Sequence, residues 1–311
     1  MKLPVRPWPL DSGQRAARTE SPDLPPSDGC HSTDVPPGDL GQLMATRELP
    51  TGGLHHPMSG KNLPTSDTNL VTGSIESWDV SIGVDGPGTR FVVFTCGCPL
   101  RCTYCHNPET WRMRDGRRVS VDEIMGEVAA YRRFITVAGG GVTISGGEPL
   151  LQPDFTGELL RRCHEEGLHT ALDTSGLLGD RATDAMLADT DLVLLDIKSF
   201  DATRYRELTG GSLQPTLRFA RRLSDLGRPT WIRFVLVPGH TDDLNEIDAM
   251  AAFLAGLDNI ELVDVLPFHR LGTTKYERLG LRYPVADVTP PDHELLERVH
   301  ERFRAHGLIS R

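Results

Sequence analysis

Cys98, Cys102 and Cys105 stand in the run Cys98-Pro-Leu-Arg-Cys102-Thr-Tyr-Cys105-His-Asn, a C-x3-C-x2-C spacing with an aromatic residue just before the last thiol. Three thiolates are one short of the four that normally hold a cubane [4Fe–4S] cluster. The deficit leaves one iron open, and an open position on a metal is where chemistry happens rather than where a fold is stapled. Structural zinc competes for the same residues. It requires a fourth Cys or His at finger-like spacing, and His106 adjoins Cys105 too closely to complete a tetrahedron.

Other polar residues could serve such a centre. Gly146 and Gly147, followed by Glu148, let backbone approach a ligand closely because they lack a Cβ. Asp173 and Asp196 fall at the ends of two expected strands. Two carboxylates buried together need a cation, because an unpaired buried charge costs several kcal/mol. Lys198 could supply one charge, and hard oxygen ligands also suit a bound ion. The competing role for Asp173 is an N-cap on the next helix. Cys96 forms Cys-Gly-Cys with Cys98, but it ends an apolar strand and reads as a neighbour of the cluster, not a ligand. Cys163 lies on an amphipathic helical stretch and reads as a small core residue.

The elements that must position these residues alternate. Strands are expected at 90–95, 141–145, 169–173, 191–196, 230–237 and 260–266. Helices are expected at 154–166, 181–188, 215–226, 243–257 and 292–306, and a further helix starts at the capping box Ser120-Val-Asp-Glu123. Six βα units in about 239 residues imply an incomplete (β/α)6 TIM-like barrel, since a full eight-unit barrel takes about 250. Every candidate motif falls at the C-terminal end of one of these strands, the rim that carries active sites in α/β barrels.

Residues 1–72 differ from the rest. They hold 11 of the 23 prolines and no sustained apolar period, so a disordered Pro/Ser/Gly-rich extension is expected there, with the barrel domain at 73–311. Cys30, His31, His55 and His56 fall in this segment without ligand spacing around them. The net charge of −10 argues against nucleic acid as a partner. No apolar run of membrane-spanning length occurs, and the N-terminus lacks a secretory signal, so a cytoplasmic protein is expected. Six cysteines in such a chain read as metal or redox chemistry rather than a disulfide framework.

The cysteine run resembles that of the radical S-adenosylmethionine superfamily. The ordered set is more specific: Asp85-Gly-Pro-Gly-Thr-Arg90, Tyr104-Cys-His-Asn107, Gly139-Gly-Gly-Val-Thr-Ile-Ser-Gly-Gly-Glu148, Leu172-Asp-Thr-Ser-Gly176, Leu195-Asp-Ile-Lys198, Trp231-Ile-Arg233 with Val237-Pro-Gly239, and Leu266-Pro-Phe-His269. Over residues 74–308 it is similar to the pyruvate formate-lyase activating family. That resemblance implies a [4Fe–4S] cluster on Cys98, Cys102 and Cys105 whose open iron binds S-adenosylmethionine. Reductive cleavage would give methionine and a 5′-deoxyadenosyl radical, which abstracts hydrogen from a glycine of pyruvate formate-lyase.

The resemblance also assigns residues. The Gly146-Gly147-Glu148 stretch would hold the methionine ammonium, with Cys105, Asp196, Ile197, Lys198 and His269 at the cofactor and Tyr104 and His106 bordering the adenine. A monovalent cation would sit on Asp173, Thr174 and Asp196, and Asp85 with Arg233 would seat the substrate loop. Implied partners are pyruvate formate-lyase and a low-potential donor such as flavodoxin or ferredoxin, with the activase a monomer. Activases of other glycyl-radical enzymes often carry cysteine-rich insertions after the cluster loop, and this chain has no cysteine between Cys105 and Gly146. A small-molecule radical enzyme and a plain iron–sulfur electron carrier are the remaining alternatives; a carrier would not need the Asp173, Asp196 and His269 rim.

Overall fold

Six short, largely apolar runs yield six parallel strands, β2 (Thr89–Thr95), β4 (Gly141–Gly146), β5 (His169–Thr174), β6 (Leu192–Asp196), β7 (Thr230–Leu236) and β8 (Ile260–Pro267). They were obtained in a computed structural model that describes residues 70–311. The expected extension falls outside the described residues except for its last three. The strands follow chain order from β2 to β8, as an incomplete barrel requires, and the sheet is not closed into a ring.

Two strands were not expected. β1 (Thr72–Ile82) pairs antiparallel with β2, and β3 (Arg117–Ser120) pairs antiparallel with β1. The first begins one residue before the expected domain boundary. The alternation of Trp78, Val80 and Ile82 with polar neighbours was visible, but a register shift between Ile75 and Ser77 interrupts it. β3 has one buried residue in four, too short a pattern to read.

Helices cover the outer face. α1 (Val121–Val137) opens on the expected capping box, with Ser120 Oγ accepting the Glu123 N–H and the Glu123 carboxylate accepting the Ser120 N–H. α2 (Pro153–Glu165), α5 (Leu213–Asp225), α6 (Leu244–Ala255) and α8 (His293–Ala305) lie within two residues of expectation. The expected helix at 181–188 is instead a 3-10 turn followed by α3 (Asp184–Ala188), because Thr183 Oγ1 caps the Met186 N–H and starts the helix there. Also unexpected were α4 (Ala202–Thr209), capped by Asp201 and stopped by left-handed Gly210, and the short α7 (Thr273–Arg278).

One face of each parallel strand packs on the helices through residues such as Phe91, Ile144, Leu172, Leu195 and Phe234. The other face points into the barrel. Ala171, Leu192 and Leu194, with Trp231 against them, form an apolar floor there. One pleat higher the residues turn polar: Ser145, Asp173, Asp196 and Arg233. The change from floor to rim along one strand face is what sets a chemical site on an otherwise ordinary core.

β1 is held by close packing against α2. A Cβ placed on Gly73 would lie 2.4 Å from the ring of Phe155, which is itself buried. Gly73→Ala should therefore destabilise the chain by about 1–3 kcal/mol through overpacking. Chemical denaturation checks this, and Phe155→Leu in the same chain should recover part of the loss.

Candidate active site

The loop after β2 carries the three thiols, and it is pinned at both ends. The Arg101 and Thr103 N–H groups donate to the Thr209 and Leu208 carbonyls at the end of α4. Gly97 and Cys98 donate to the Thr110 and Trp111 carbonyls. Beneath the loop, Tyr104, Leu208, Phe268, Tyr276 and Tyr283 form a second apolar cluster. The expected strands thus supply the rim, and the unexpected α4 and α7 supply the bed on which the loop rests.

All three thiols face one cavity of about 910 Å³. Burial is the main effect on each, pushing Cys98 and Cys102 up to about 12 and raising Cys105 as well. A metal bound here would have to displace those protons. Among the described residues no three His, Cys, Asp or Glu side chains converge as they would around a single ion. Three thiols bordering one cavity, with no fourth cysteine lining it, are the donor set of a cubane held at three corners.

Across the cavity the expected carboxylates each meet a cation of the protein. Lys198 Nζ lies 2.8 Å from Asp196 Oδ2. Burial opposes the Lys198 charge, yet Asp196, with Cys102 and Tyr104, holds its pKa well above the usual lysine value. Arg233 donates to Asp173 Oδ2 at 2.8 Å and lies 3.8 Å from Asp85 Oδ1. Ser145 Oγ donates to the same Asp173 oxygen at 2.6 Å. Burial still pushes Asp173 up to about 6 against the pull of Arg233, and its Oδ1 is left without a hydrogen-bond partner. The N-cap role considered for Asp173 is therefore not the one it has.

Glu148 differs from its expected position. Its carboxylate does not line the cavity. It turns inward and accepts from Thr174 Oγ1, Ser175 Oγ and the Ser175 and Leu150 N–H groups. Burial raises its pKa, and the two hydroxyls oppose that shift. The Glu148 N–H in turn donates to the Gly97 carbonyl at 2.9 Å. The glycines before it also serve packing. A Cβ on Gly146, whose φ is 113°, would fall 2.2 Å from the Thr95 nitrogen, and one on Gly147 would fall 2.4 Å from the Gly97 oxygen. Only glycine lets β4 end this close to the cysteine loop.

Of the residues singled out from sequence, Cys98, Cys102, Tyr104, Cys105, His106, Gly146, Gly147, Asp173, Thr174, Asp196, Lys198, Arg233, His269 and Asp85 all border the one cavity. Ile197 is buried and does not reach it. Cys96 is fully buried and faces Ser74 and Gly116, away from the cavity, as its strand-end position implied. His106 and His269 meet edge to face at 4.8 Å.

Sequence reading missed Ser145, Trp111 and Lys275, and with them the wall formed by Glu76, Ser77 and Trp78 of β1. Lys275 Nζ contacts Asn107 Oδ1 at 2.8 Å and Glu109 at 2.5 Å, tying α7 to the loop. Ser145 could have been found from its place at a strand end. Lys275 sits on a helix of six residues that nothing in the local pattern marks.

Together, an incomplete barrel of six parallel strands and a three-thiol loop over a charged rim define the radical S-adenosylmethionine class of iron–sulfur enzymes. The profile of the Radical SAM superfamily matches residues 92–254. Pyruvate formate-lyase-activating enzymes of Staphylococcus epidermidis and Staphylococcus aureus strain USA300 are 42% and 43% identical over 247 residues, covering 77% of this chain and 98% of each relative. A radical SAM methyltransferase from Sphaerobacter thermophilus, 20% identical, shares the fold over 75% of this chain and 71% of its own, with a TM-score of 0.54. The chain belongs to the pyruvate formate-lyase-activating enzyme family.

Removing the Glu148 carboxylate leaves two hydroxyls and two backbone N–H groups without their acceptor. Glu148→Ala should lower stability by about 3 kcal/mol or more. Thermal melting of the metal-free protein checks it, so the result does not depend on cluster assembly.

Proposed function

We propose that this chain activates pyruvate formate-lyase by abstracting hydrogen from a glycine of that enzyme, leaving a stored glycyl radical. The observation that carries the reading is a single cavity lined by three thiols together with the pairs Asp196–Lys198 and Asp173–Arg233. Cys98, Cys102 and Cys105 would hold the [4Fe–4S] cluster. Bound together, the cluster and S-adenosylmethionine supply the low-potential electron and the hydrogen-abstracting group.

The protein's own part is placement and exclusion. The Gly146–Gly147 backbone, Asp196, Lys198 and His269 face the space beside the thiols, where a zwitterionic amino-acid moiety meets both signs of charge. Tyr104 and His106 supply flat surfaces for a base. Asp173 Oδ1, buried and without a hydrogen-bond partner, is the atom open to a monovalent cation, with Thr174 and Asp196 lining the same cavity. The apolar floor of Ala171 and Leu194 keeps the lower barrel dry, which protects a reactive intermediate from water.

The cavity reaches from the thiols to Asp85. Its volume of about 910 Å³ is near the upper end of the roughly 300–1,000 Å³ of ligand pockets, leaving room for a peptide segment beside a cofactor. Asp85 is held for that task. Its backbone carbonyl accepts from Thr143 Oγ1 at 2.7 Å, and fully buried Arg90 donates to the same hydroxyl at 2.9 Å. A loop so fixed could take backbone N–H groups of an entering strand on the Asp85 carboxylate. The stretch between Cys105 and Gly146 folds into turns, β3 and α1 and carries no ferredoxin-like cysteines, which favours pyruvate formate-lyase over other glycyl-radical partners. A low-potential protein such as flavodoxin or ferredoxin would provide the electron. No helix among the described residues is long and apolar enough to cross a membrane.

The test is the glycyl-radical EPR signal raised in pyruvate formate-lyase by the reduced protein, read beside uncoupled cleavage of S-adenosylmethionine. Cys102→Ala should abolish both and Cys163→Ala neither; a Cys102→Ala protein cleaving the cofactor at normal rate would end the proposal. Asp85→Ala should lower the radical signal at least tenfold more than the uncoupled cleavage. An equal fall in both would place Asp85 in the fold or cofactor site instead.

A further inference from the structure

Trp111 touches both ends of the thiol loop. Its carbonyl oxygen accepts the Cys98 N–H at 3.1 Å, and its indole N–H donates to Cys105 Sγ at 3.3 Å. Among the described residues this is the one side-chain hydrogen bond to any of the three thiol sulfurs that face the cavity.

The indole cannot easily leave this position. The Arg101 guanidinium lies 5.2 Å from its ring centroid, and Arg101 is itself anchored on the Cys98 and Leu100 carbonyls at 2.6 Å each. Tyr276 meets the ring edge-on at 5.8 Å and is in turn stacked on Tyr283 at 4.5 Å. Tyr276 is buried, so the wedge is backed by core and not by solvent. A donor fixed in this way keeps its N–H dipole on the sulfur in either redox state.

An N–H aimed at a ligand sulfur stabilises added negative charge, so it favours the reduced cluster, and hydrogen bonds to the sulfurs are among the factors that set cluster potential. We propose that Trp111 is a positioning residue that raises the reduction potential of the cluster by its N–H···S bond to Cys105, bringing the cluster within reach of its electron donor. This rests on the reading of Cys98, Cys102 and Cys105 as cluster ligands. One electron enters the oxidised cluster, and no bond to Trp111 forms or breaks.

The experiment is an EPR-monitored redox titration of the full chain after anaerobic reconstitution, with dithionite as reductant and no S-adenosylmethionine present. Trp111→Phe keeps an aromatic ring and deletes the donor. It should retain wild-type iron content and shift the midpoint to more negative potential; an unchanged midpoint overturns the proposal. Wild-type protein carrying tryptophan labelled with 15N in the indole gives a second measurement that does not depend on the variant folding. Its reduced cluster should show a 15N hyperfine coupling by pulsed EPR, and absence of that coupling also overturns the proposal. A wild-type chain that assembles no cluster on its three cysteines would instead sink the underlying reading, so the two failures are distinguishable.

Discussion

A buried carboxylate holds together the strand ends from which this site is built. Glu148 follows β4, and its side chain takes hydrogen bonds from Thr174 and Ser175 at the end of β5, while its N–H reaches Gly97 in the loop after β2. Three adjacent strand ends are thereby locked to one another through a single residue with no exposed surface. Such an interaction is worth less for net stability than for uniqueness. Burying the charge is costly, and full satisfaction by four donors is what makes one arrangement of the loops far better than any other.

The same logic governs the charges that do face the cavity. Asp196 has Lys198, and Asp173 shares Arg233 with Asp85. Each pair is largely removed from water, so its members cannot swing out to solvate separately. The cavity is therefore lined by oriented charges before anything binds. Preorganised charge of this kind lowers the reorganisation needed when a charged cofactor arrives. Asp173 is the least satisfied of the set, with one oxygen unpartnered, and it marks where a further positive charge would be most welcome.

The thiol loop depends on parts far from it in the chain. Its backbone leans on α4, its aromatic bed comes from residues 268–283, and Lys275 reaches back to Asn107 and Glu109. A C-x3-C-x2-C run by itself would be free to take many conformations. Conformational entropy would oppose its closing on a cluster, and tertiary packing removes that freedom in advance.

How much was legible from sequence follows from range. The six parallel strands were readable because each is a local apolar run, and the three-thiol loop because its spacing is local too. The rim placement of Asp173, Asp196, Arg233 and His269 followed from strand ends, which any α/β barrel turns toward one side. The carboxylate of Glu148 could not be placed this way, since its direction is decided by hydroxyls 26 and 27 residues away. The pairing of Arg233 with Asp173 was equally hidden, because it links β7 with β5 across an inner face that exists only once the sheet is curved. Sequence alone determined which residues stand at the rim and what chemistry their types can do. Only the tertiary structure decided which charge neutralises which, and that Glu148 serves the scaffold, because buried charges choose partners by proximity in space and never by distance along the chain.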